Sequence, residues 1–361
     1  MTRKKIATVM AACGAVGALV GALLRPGVGS IDENTPVEGD PELAVTALDH
    51  LSTQGIYALS IAEVTPEETR VATVGAPLDG AFEIGSVTKP ITGMLYADAV
   101  ERGEVAPETT LGEIFELGGA GSSSISLEGL SQHRSGLPRL PMSLGTLLNS
   151  YRWLLLGQNP YDDSPDDIVE DLRSVSVGAE EPEYSNLGFA ALGHALAEAS
   201  GQPYPELVRT RLAEPLGLET FYVPSPGEDS AQPQTVQARE ASGRAQEAWD
   251  DPGYAPAGGI RADAASMGRL AEAMLDGSAP GAEAQTPVSG FDDDNQIGAG
   301  WIISEDQGRT ITRHNGQTGG FSTWIGLDRK RGTAVFISAA TSHTLDEAGL
   351  ALLLQAGRED G

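Results

Sequence analysis

The chain has 361 residues, of which 40% are hydrophobic, and its 23 Lys and Arg against 51 Asp and Glu give a formal net charge of −28 at pH 7. This charge excludes binding to the nucleic acid backbone, which requires clustered cations, whereas the hydrophobic content excludes general disorder. At about 150 residues per domain, the length favours two lobes around a sizeable core.

The first 30 residues (1–30) are predicted to be a signal peptide or a membrane anchor. Basic residues 3–5 precede an apolar run at residues 6–24, which is longer than a usual signal core and just long enough for a membrane span. Both alternatives place the rest of the chain outside the cytoplasm, secreted or attached to the membrane by this segment alone. The one cysteine, Cys13, lies in this run, so the body has no disulfide and no thiol nucleophile.

The predicted elements of the body are strands near both ends with helices between them. In chain order they are strands at 55–62 and 70–74, helices at 87–101, 187–200, 204–212 and 263–275, strands at 300–304, 310–314, 321–327 and 334–339, and a last helix that begins with a capping box at Thr344. This order predicts an α+β fold, in which one antiparallel sheet from both termini is flanked by helices and carries an inserted, mostly helical lobe.

Two further segments are predicted to lie outside regular elements. Residues 31–42 are acidic and polar and indicate a linker, so that residues 31–50 lead into the fold. Residues 223–259 are rich in Pro, Gly and charge and indicate a long surface loop. This loop and residues 140–174 are expected to shape a binding pocket.

Several catalytic and binding motifs are absent from the sequence. There is no phosphate loop, and Thr88 stands where a Gly-x-Ser-x-Gly elbow needs its second glycine. Acidic residues 292–295 lack the Gly and distal Glu of a calcium loop. The five histidines are too far apart for a helical zinc pair: they are His50, His133, His194, His314 and His343. We therefore predict no metal and no cofactor.

Lysine is rare in this chain, since four of the 23 basic residues are Lys, and Lys89 alone lies inside a predicted folded segment. Lys89 also completes the chain's one Ser-x-x-Lys sequence, with Ser86. Positions i and i+3 of a helix share a face, so the amine is expected to reach the hydroxyl. Pro90 is tolerated only in a first helical turn, which places Ser86 at the helix start, where free N–H groups favour an oxyanion. The alternative is that Ser86 caps the helix and Lys89 is solvated.

Tyr184 and Asn186 stand just before the predicted helix at 187–200. A phenol beside a Ser/Lys pair can relay protons, and we expect the nearby ammonium to lower the pKa of Tyr184. Asn186 can orient Lys89 or a substrate amide. The alternative is that Tyr184 packs on the surface and Asn186 caps the helix.

A glycine-rich sequence at residues 313–320 lies between two predicted strands. Glycines such as Gly316 let the backbone approach a ligand closely, and the N–H of Gln317 is expected to pair with that of Ser86 as an oxyanion hole. His314 is then a titratable donor that faces the same cleft. The alternative is a glycine-rich hairpin with an incidental histidine.

These three segments together resemble the serine β-lactamase and penicillin-binding protein superfamily, in its branch of class C β-lactamases, D-alanyl-D-alanine carboxypeptidases and esterases. Residues 86–89 match its Ser-x-x-Lys motif, residues 184–186 its Tyr-x-Asn motif, and residues 314–316 its Lys/His-x-Gly motif. Further similar stretches lie at residues 130–138, 214–217 and 256–260. The resemblance implies a hydrolase domain over residues 51–354, with the helical lobe at about 104–250 and a tail at 355–361.

The resemblance also implies the roles of the site residues. Ser86 would form an acyl-enzyme, with Lys89 and Tyr184 sharing the general base and acid roles in an order that the sequence leaves open. The N–H groups of Ser86 and Gln317, beside Gly316, would bind the oxyanion. Asn186 would position Lys89 and the acyl side chain, and His314 would hold a substrate carboxylate or assist proton transfer.

The function that the resemblance favours is an extracytoplasmic D-alanyl-D-alanine carboxypeptidase-type peptidase. Typical class C β-lactamases carry Lys where this chain has His314, and a mostly neutral His anchors a carboxylate less firmly. A β-lactamase or promiscuous esterase is one alternative, and a penicillin-recognising sensor that acylates without turnover is another. The expected partners are a small peptide, β-lactam or ester substrate, with peptidoglycan as a candidate and no nucleic acid. Activity is expected to fall below about pH 6 as His314 protonates, unless that charge aids the binding of a carboxylate.

Overall fold

The computed structural model describes residues 29–141, 144–226 and 235–357 of the chain. The predicted signal or anchor segment therefore lies outside the described residues except for its last two, and so do residues 358–361 of the predicted tail. Within the described ranges, no helix combines the length and the apolar character needed to cross a bilayer.

Antiparallel strands from both ends of the described chain form the central sheet. The strands in chain order are β1 (Val37–Gly39), β2 (Leu59–Val64), β3 (Thr69–Val74), β4 (Phe82–Glu83), β5 (Phe221–Tyr222), β6 (Arg261–Ala262), β7 (Ser289–Gly290), β8 (Gln296–Ile297), β9 (Ile302–Asp306), β10 (Arg309–Gln317), β11 (Ser322–Asp328) and β12 (Thr333–Ala339). Over the described residues, the large sheet has nine strands in the order β1-β3-β2-β12-β11-β10-β9-β8-β7, and β4-β6-β5 form a small second sheet. The predicted sheet assembled from both termini is confirmed.

Helices cover both faces of the large sheet. In chain order they are α1 (Pro41–Asp49), α2 (Thr88–Glu101), α3 (Leu111–Ile114), α4 (Leu127–Ser131), α5 (Leu144–Leu156), α6 (Pro165–Ser174), α7 (Asn186–Ser200), α8 (Tyr204–Val208), α9 (Glu214–Leu216), α10 (Ala255–Gly258), α11 (Ala264–Asp276) and α12 (Asp346–Gln355). Short 3₁₀ turns lie at Gly85–Val87, Gly121–Ser124 and Ala282–Gln285, and a π-helical turn lies at Arg209–Ala213. The stretch from α3 to α9 is the predicted helical insertion between the two groups of strands.

The two faces of the sheet contact different helices, because successive strand side chains point to opposite sides. On one face Ile61 packs with Leu43 of α1 and Leu353 of α12. On the other face Ala62 and Phe336 belong to a larger core with α2, α7 and α11. This larger core holds the predicted site helix α2 between the sheet and the helical insertion.

Residues 31–42, for which the sequence predicts a linker, belong to the fold. Ile31 is buried in the core, and β1 pairs with β3 at the sheet edge. Helix α1 begins at Pro41, where the Asp40 side chain accepts hydrogen bonds from the N–H groups of Glu42 and Leu43. The linker prediction is wrong because the acidic and polar residues here supply a helix N-cap and an edge strand.

Two other local predictions also differ from the structure. Helix α12 begins at Asp346 with Leu345 at the cap position, so the predicted capping box at Thr344 does not form. Leu345, which directly precedes the helix, is buried in the core, so packing rather than a side-chain cap determines where the helix begins. The predicted surface loop at 223–259 is wrong for residues 235–259, since Ala238, Gln246 and Asp251 are buried.

Candidate active site

Ser86 stands in the short 3₁₀ turn that leads into helix α2, where it remains accessible at the floor of a pocket. The preceding residue, Gly85, has a φ of +52°, a left-handed conformation that favours glycine. A Cβ at Gly85 would lie 2.8 Å from the backbone nitrogen of Gln317 in β10. The turn and the strand therefore approach each other closely at the candidate nucleophile.

Lys89 is fully buried one helical turn after Ser86, which excludes a solvated lysine. Its Nζ lies 3.0 Å from Ser86 Oγ and 2.7 Å from the carbonyl oxygen of Ala257 in α10. Burial lowers the pKa of Lys89 well below its usual range, and the charge of Arg139 lowers it further. A neutral amine donates one N–H to the Ala257 carbonyl and keeps its lone pair for the Ser86 hydroxyl proton.

Tyr184 lies on the other side of the Ser86 hydroxyl and is hydrogen-bonded to it. Lys89 Nζ stands 4.8 Å from the centre of the Tyr184 ring. Burial raises the pKa of Tyr184 to about 12. The expectation that the neighbouring ammonium lowers this pKa is therefore wrong, because the desolvation of a phenolate outweighs the effect of nearby charges. Tyr184 stays protonated at neutral pH and can donate a proton.

His314 is buried in strand β10, and its Nδ1 lies 2.5 Å from the carbonyl oxygen of Asn315. A carbonyl only accepts, so Nδ1 carries the hydrogen and Nε2 presents a lone pair. Burial, followed by the charge of Lys89, lowers the pKa of His314 to about 3. The expectation that His314 protonates near pH 6 is therefore wrong, since burial keeps this imidazole neutral from pH 5 to 8.

The backbone nitrogens of Ser86 and Gln317 lie at the same close contact because Gly316 packs directly on the serine turn. A Cβ at Gly316 would lie 2.1 Å from the carbonyl oxygen of Ile84 and 3.1 Å from the nitrogen of Ser86. No side chain fits in this space, so the contact requires glycine. Two N–H groups placed at a nucleophile in this way can bind the oxyanion of a tetrahedral intermediate.

Asn186 is the first residue of helix α7 and lines the same pocket as Ser86. Ser185, rather than Asn186, caps the helix by accepting a hydrogen bond from the N–H of Gly188. The Asn186 side chain is hydrogen-bonded to Tyr161, whereas Lys89 is bonded to Ser86 and Ala257. Asn186 therefore lies in the same pocket as Ser86. These hydrogen bonds do not include one between Asn186 and Lys89, the contact that the resemblance implied.

A cavity of about 280 Å³ opens above Ser86. Six of its lining residues were not identified from the sequence: Arg139, Trp153, Tyr161, Trp249, Asp251 and Tyr254. Burial raises the pKa of Asp251 to about 7, so this carboxyl group is partly neutral at physiological pH. Five of these six residues, all except Arg139, belong to residues 140–174 and 223–259, the segments that the sequence predicts to shape a binding pocket.

The fold and the site together place a serine at a helix start, a buried lysine one helical turn later and the backbone of Gln317 beside the serine turn, an arrangement that can support nucleophilic catalysis. The family model described as Beta-lactamase matches residues 44–358. The chain therefore belongs to the beta-lactamase family, whose members are serine hydrolases, and the predicted resemblance is confirmed.

Comparison with known proteins gives relatives of two kinds. The chain is 29% identical to the D-alanyl-D-alanine-carboxypeptidase/endopeptidase AmpH of Escherichia coli (strain K12) over 165 residues, which are 44% of this chain and 41% of that protein. The alignment thus spans less than half of this relative. A class C beta lactamase from Rhodobacter sphaeroides has a TM-score of 0.72 at 17% identity, covering 88% of this chain and 99% of that one.

A second solved structure, the Beta-Lactamase/D-Alanine Carboxypeptidase from Pseudomonas syringae, also has a TM-score of 0.72 at 17% identity, covering 88% of this chain and 100% of that one. At these identities the structural likeness shows the fold alone. The predicted α+β fold, with its flanked antiparallel sheet and helical insertion, is confirmed.

Proposed function

We propose that this protein is a serine hydrolase that forms an acyl-enzyme on Ser86, with D-alanyl-D-alanine carboxypeptidase activity as its main reaction. The observation that carries the proposal is the 3.0 Å hydrogen bond between Ser86 Oγ and the buried amine of Lys89. A buried lysine this close to an accessible serine is suited to act as its base, because burial lowers the pKa of Lys89 and so favours the neutral amine.

The mechanism follows from the protonation states of the three groups. Neutral Lys89 accepts the Ser86 proton as Oγ bonds to the substrate carbonyl carbon, and the N–H groups of Ser86 and Gln317 bind the oxyanion. When the intermediate collapses, the bond to the leaving amine breaks and the phenol of Tyr184 donates a proton to that amine. Tyr184 recovers a proton from Lys89, and water then hydrolyses the ester as these transfers run in reverse.

A peptide with a free C-terminus needs a cation in the pocket, and Arg139 is the better candidate for it. His314 is neutral above about pH 3. Arg139 lines the cavity with Ser86, and its guanidinium carbon lies 5.5 Å from the centre of the Tyr184 ring. Its carbonyl oxygen accepts hydrogen bonds from the first N–H groups of α7, which fixes its backbone beside Asn186. The positive charge of Arg139 thus favours a substrate that carries a carboxylate.

A second candidate function is the hydrolysis of uncharged esters. Neutral His314 favours it, because the residue that replaces the usual Lys contributes no charge to the pocket. Both candidates use the same acyl-enzyme and differ in their need for Arg139.

The test is hydrolysis of a D-Ala-D-Ala peptide, a chromogenic β-lactam and a p-nitrophenyl ester by wild type, Ser86→Ala and Arg139→Gln. We expect Ser86→Ala to lose at least about 1,000-fold in kcat/KM on every hydrolysed substrate, with Ser200→Ala as a matched control. Arg139→Gln should impair peptide hydrolysis and spare the ester. Full activity of Ser86→Ala would contradict the proposal, and an Arg139→Gln variant with unchanged peptide hydrolysis would favour the esterase.

A penicillin-recognising sensor shares this site, and intact-mass measurement after penicillin addition distinguishes it from an enzyme. Rapid loss of the adduct supports turnover, whereas an adduct that persists for hours supports a sensor. Ser86→Ala should form no adduct in either case.

We also propose that the protein acts outside the cytoplasm, with any membrane attachment through its N-terminal segment. Support comes from the basic tip and apolar run of residues 1–30. A fusion of this segment to a reporter that is active only after export should be active, and an inactive fusion would contradict the proposal.

A further inference from the structure

Helix α5 carries most of the large apolar side chains that are exposed in the described part of the chain. Three exposed ones lie elsewhere, at Val37, Val45 and Val288. The other seven lie on this one helix: Leu147, Leu148, Tyr151, Trp153, Leu154, Leu155 and Leu156. Single exposed apolar residues are normal at a protein surface, whereas a concentrated group marks a contact with another molecule.

Three of these side chains form one face of α5, which we call the outer face. Leu147, Tyr151 and Leu154 follow each other at spacings of four and three residues, so they lie in a row along the helix. Their exposed fractions are 53%, 55% and 60%. The row is about 10 Å long, since a helix rises about 1.5 Å per residue. The outer face thus offers a short, continuous apolar strip to a partner.

The sequence around α5 lacks the negative charge of the rest of the chain. Residues 129–161 contain no Asp or Glu, although the chain has 51 of them, and they include three arginines, Arg134, Arg139 and Arg152. Leucine, tryptophan and tyrosine together with arginine are typical of helices that lie in the plane of a membrane surface. The acidic residues that would repel anionic headgroups are therefore absent from this segment.

The C-terminal end of α5 is fixed by one turn of the chain, residues 240–244. Arg244 donates hydrogen bonds to the carbonyl oxygens of Leu154 and Leu155, each at 3.2 Å. The N–H of Glu240 donates to the Arg244 carbonyl at 3.1 Å and closes the turn. The last carbonyls of a helix have no partner within the helix, and a basic side chain satisfies them. The outer face is thus held at a defined place on the body.

The same turn contacts the segment where the described chain begins. Ser30 Oγ accepts a hydrogen bond from the N–H of Gly55 at 2.9 Å. A Cβ at Gly55 would lie 3.0 Å from the carbonyl oxygen of Ala241, which also accepts a hydrogen bond from the Tyr57 hydroxyl at 3.1 Å. Ser30 and the end of α5 are therefore joined through one turn.

The short link before Ser30 limits the distance between the body and the N-terminal apolar run. That run ends at Leu24, and six residues of fully extended chain span at most about 22 Å. When residues 6–24 lie in a bilayer, Ser30 is within this distance of the hydrocarbon region. The turn at 240–244 and the end of α5 then lie on the side of the body that faces the lipid.

We propose that the outer face of α5 lies in the headgroup region of a lipid bilayer, the one to which the N-terminal segment attaches the chain. The inference rests on the proposed N-terminal attachment and is independent of the chemistry at Ser86. The N-terminal segment remains the attachment, because a single interfacial helix gives a contact and not a stable anchor. Helix α5 adds a second contact, which determines how the body is oriented on the bilayer.

The test uses the full chain on phosphatidylcholine vesicles, with a fluorescent label that responds to the polarity around it. Cys13→Ala removes the one native cysteine, and Leu154→Cys then carries the label on the outer face. Its emission should shift to the blue on the vesicles and be quenched by a nitroxide on the lipid chains. The matched control is the label at Val288→Cys, which is 58% exposed against 60% for Leu154 and should show neither effect.

The contribution of the apolar face is tested by Leu147→Gln/Tyr151→Gln in the chain that is labelled at position 154. Burial of one large apolar side chain contributes about tenfold or more to an equilibrium constant, so the ratio of quenched to unquenched label should fall at least about tenfold. Leu147→Met/Tyr151→Phe, which keeps the apolar character, should retain the quenching. Hydrolysis of p-nitrophenyl acetate should be the same in all these variants, which shows that they are folded.

Flotation of the chain with the vesicles measures the N-terminal attachment separately from the label. A chain that floats while its label at position 154 is neither shifted nor quenched would overturn the inference and leave the attachment intact. Quenching that survives Leu147→Gln/Tyr151→Gln would also overturn it. A blue shift that needs no lipid and grows with protein concentration would show that a second copy covers the face instead. A chain that does not float would contradict both proposals, whereas the Ser86-dependent reaction is tested independently of them.

Discussion

Lys89 is the residue on which the proposed chemistry depends most, because the reaction requires its amine to be neutral. Its full burial and its lowered pKa favour this neutral form. We predict that Lys89→Arg lowers kcat/KM at least about 1,000-fold, since a guanidinium does not give up its proton. Lys330→Arg, at an exposed lysine in the β11–β12 turn, should be silent. Steady-state hydrolysis of a p-nitrophenyl ester measures both, and a Lys89→Arg enzyme within tenfold of wild type would exclude this base.

The pH dependence should belong to Lys89 and not to His314. The base is available above the pKa of Lys89, so activity is lost as the pH falls through that value. His314, with a pKa of about 3, does not titrate between pH 5 and 8. The kcat/KM profiles of His314→Gln and of the exposed control His343→Gln should therefore show the acid limb of the wild type. A loss of activity near pH 6 that is abolished only in His314→Gln would instead support the expectation that His314 titrates there.

The sequence predicted which polar groups meet but not their protonation states. The three-residue spacing of Ser86 and Lys89 and the position of Pro90 are features of the local sequence. They account for the approach of Lys89 to Ser86. The pKa shifts of Tyr184 and His314 depend on burial by residues distant in sequence, such as His133 against Tyr184 and strand β11 beside His314. The ordinary pKa of a side chain in water includes no such desolvation. For this reason the predicted lowering of the Tyr184 pKa and the ordinary pKa assumed for His314 were both wrong.

At the scale of elements, the site depends on the contact between strand β10 and the 3₁₀ turn before α2. We predict that Gly316→Ala abolishes most activity and costs about 1 to 3 kcal/mol in unfolding free energy, because its methyl group would meet the Ile84 carbonyl at 2.1 Å. Gly290→Ala, where nothing lies within 4 Å, is the matched control. Denaturant unfolding and ester hydrolysis measure both, and a fully active Gly316→Ala would show that the contact is not required.

Elements with strong internal periodicity were predicted well, and segments whose role is set by packing were not. The helix at 263–275 and the last three strands match α11 and β10–β12 closely, because their apolar spacing is explicit. Residues 31–42 and 235–259 were misjudged because polar, Pro-rich and Gly-rich composition describes turns and caps as well as exposed loops.

At the scale of the whole molecule, buried neutral bases should make the fold sensitive to acid. The pKa of His314 is about 3 in the folded chain and about 6.5 in an unfolded one. Between these values the unfolded chain binds the extra proton, so the stability that neutral His314 contributes is present above about pH 6.5 and declines as the pH falls towards 3. We predict that wild type loses about 2 kcal/mol more than His314→Gln between pH 6.5 and 5. Urea unfolding at the two pH values measures this difference, and equal losses would contradict it.

The whole fold places its chemistry at the junction of its two parts. Helix α2 and the serine turn lie between the sheet, which supplies β10, and the helical insertion, which supplies Tyr184 and Asn186. The net charge of −28 remains a surface property that favours solubility. Arg139 places a positive charge at the pocket of this otherwise acidic chain.

The most direct test of the central claim is covalent labelling of the full chain with a fluorophosphonate that reacts with activated serines, followed by intact-mass and peptide analysis. The predicted result is one adduct per chain, located on Ser86, absent from Ser86→Ala and strongly slowed in Lys89→Arg. An adduct that forms equally in Ser86→Ala, or that maps to another residue, would contradict the assignment of Ser86 as the nucleophile.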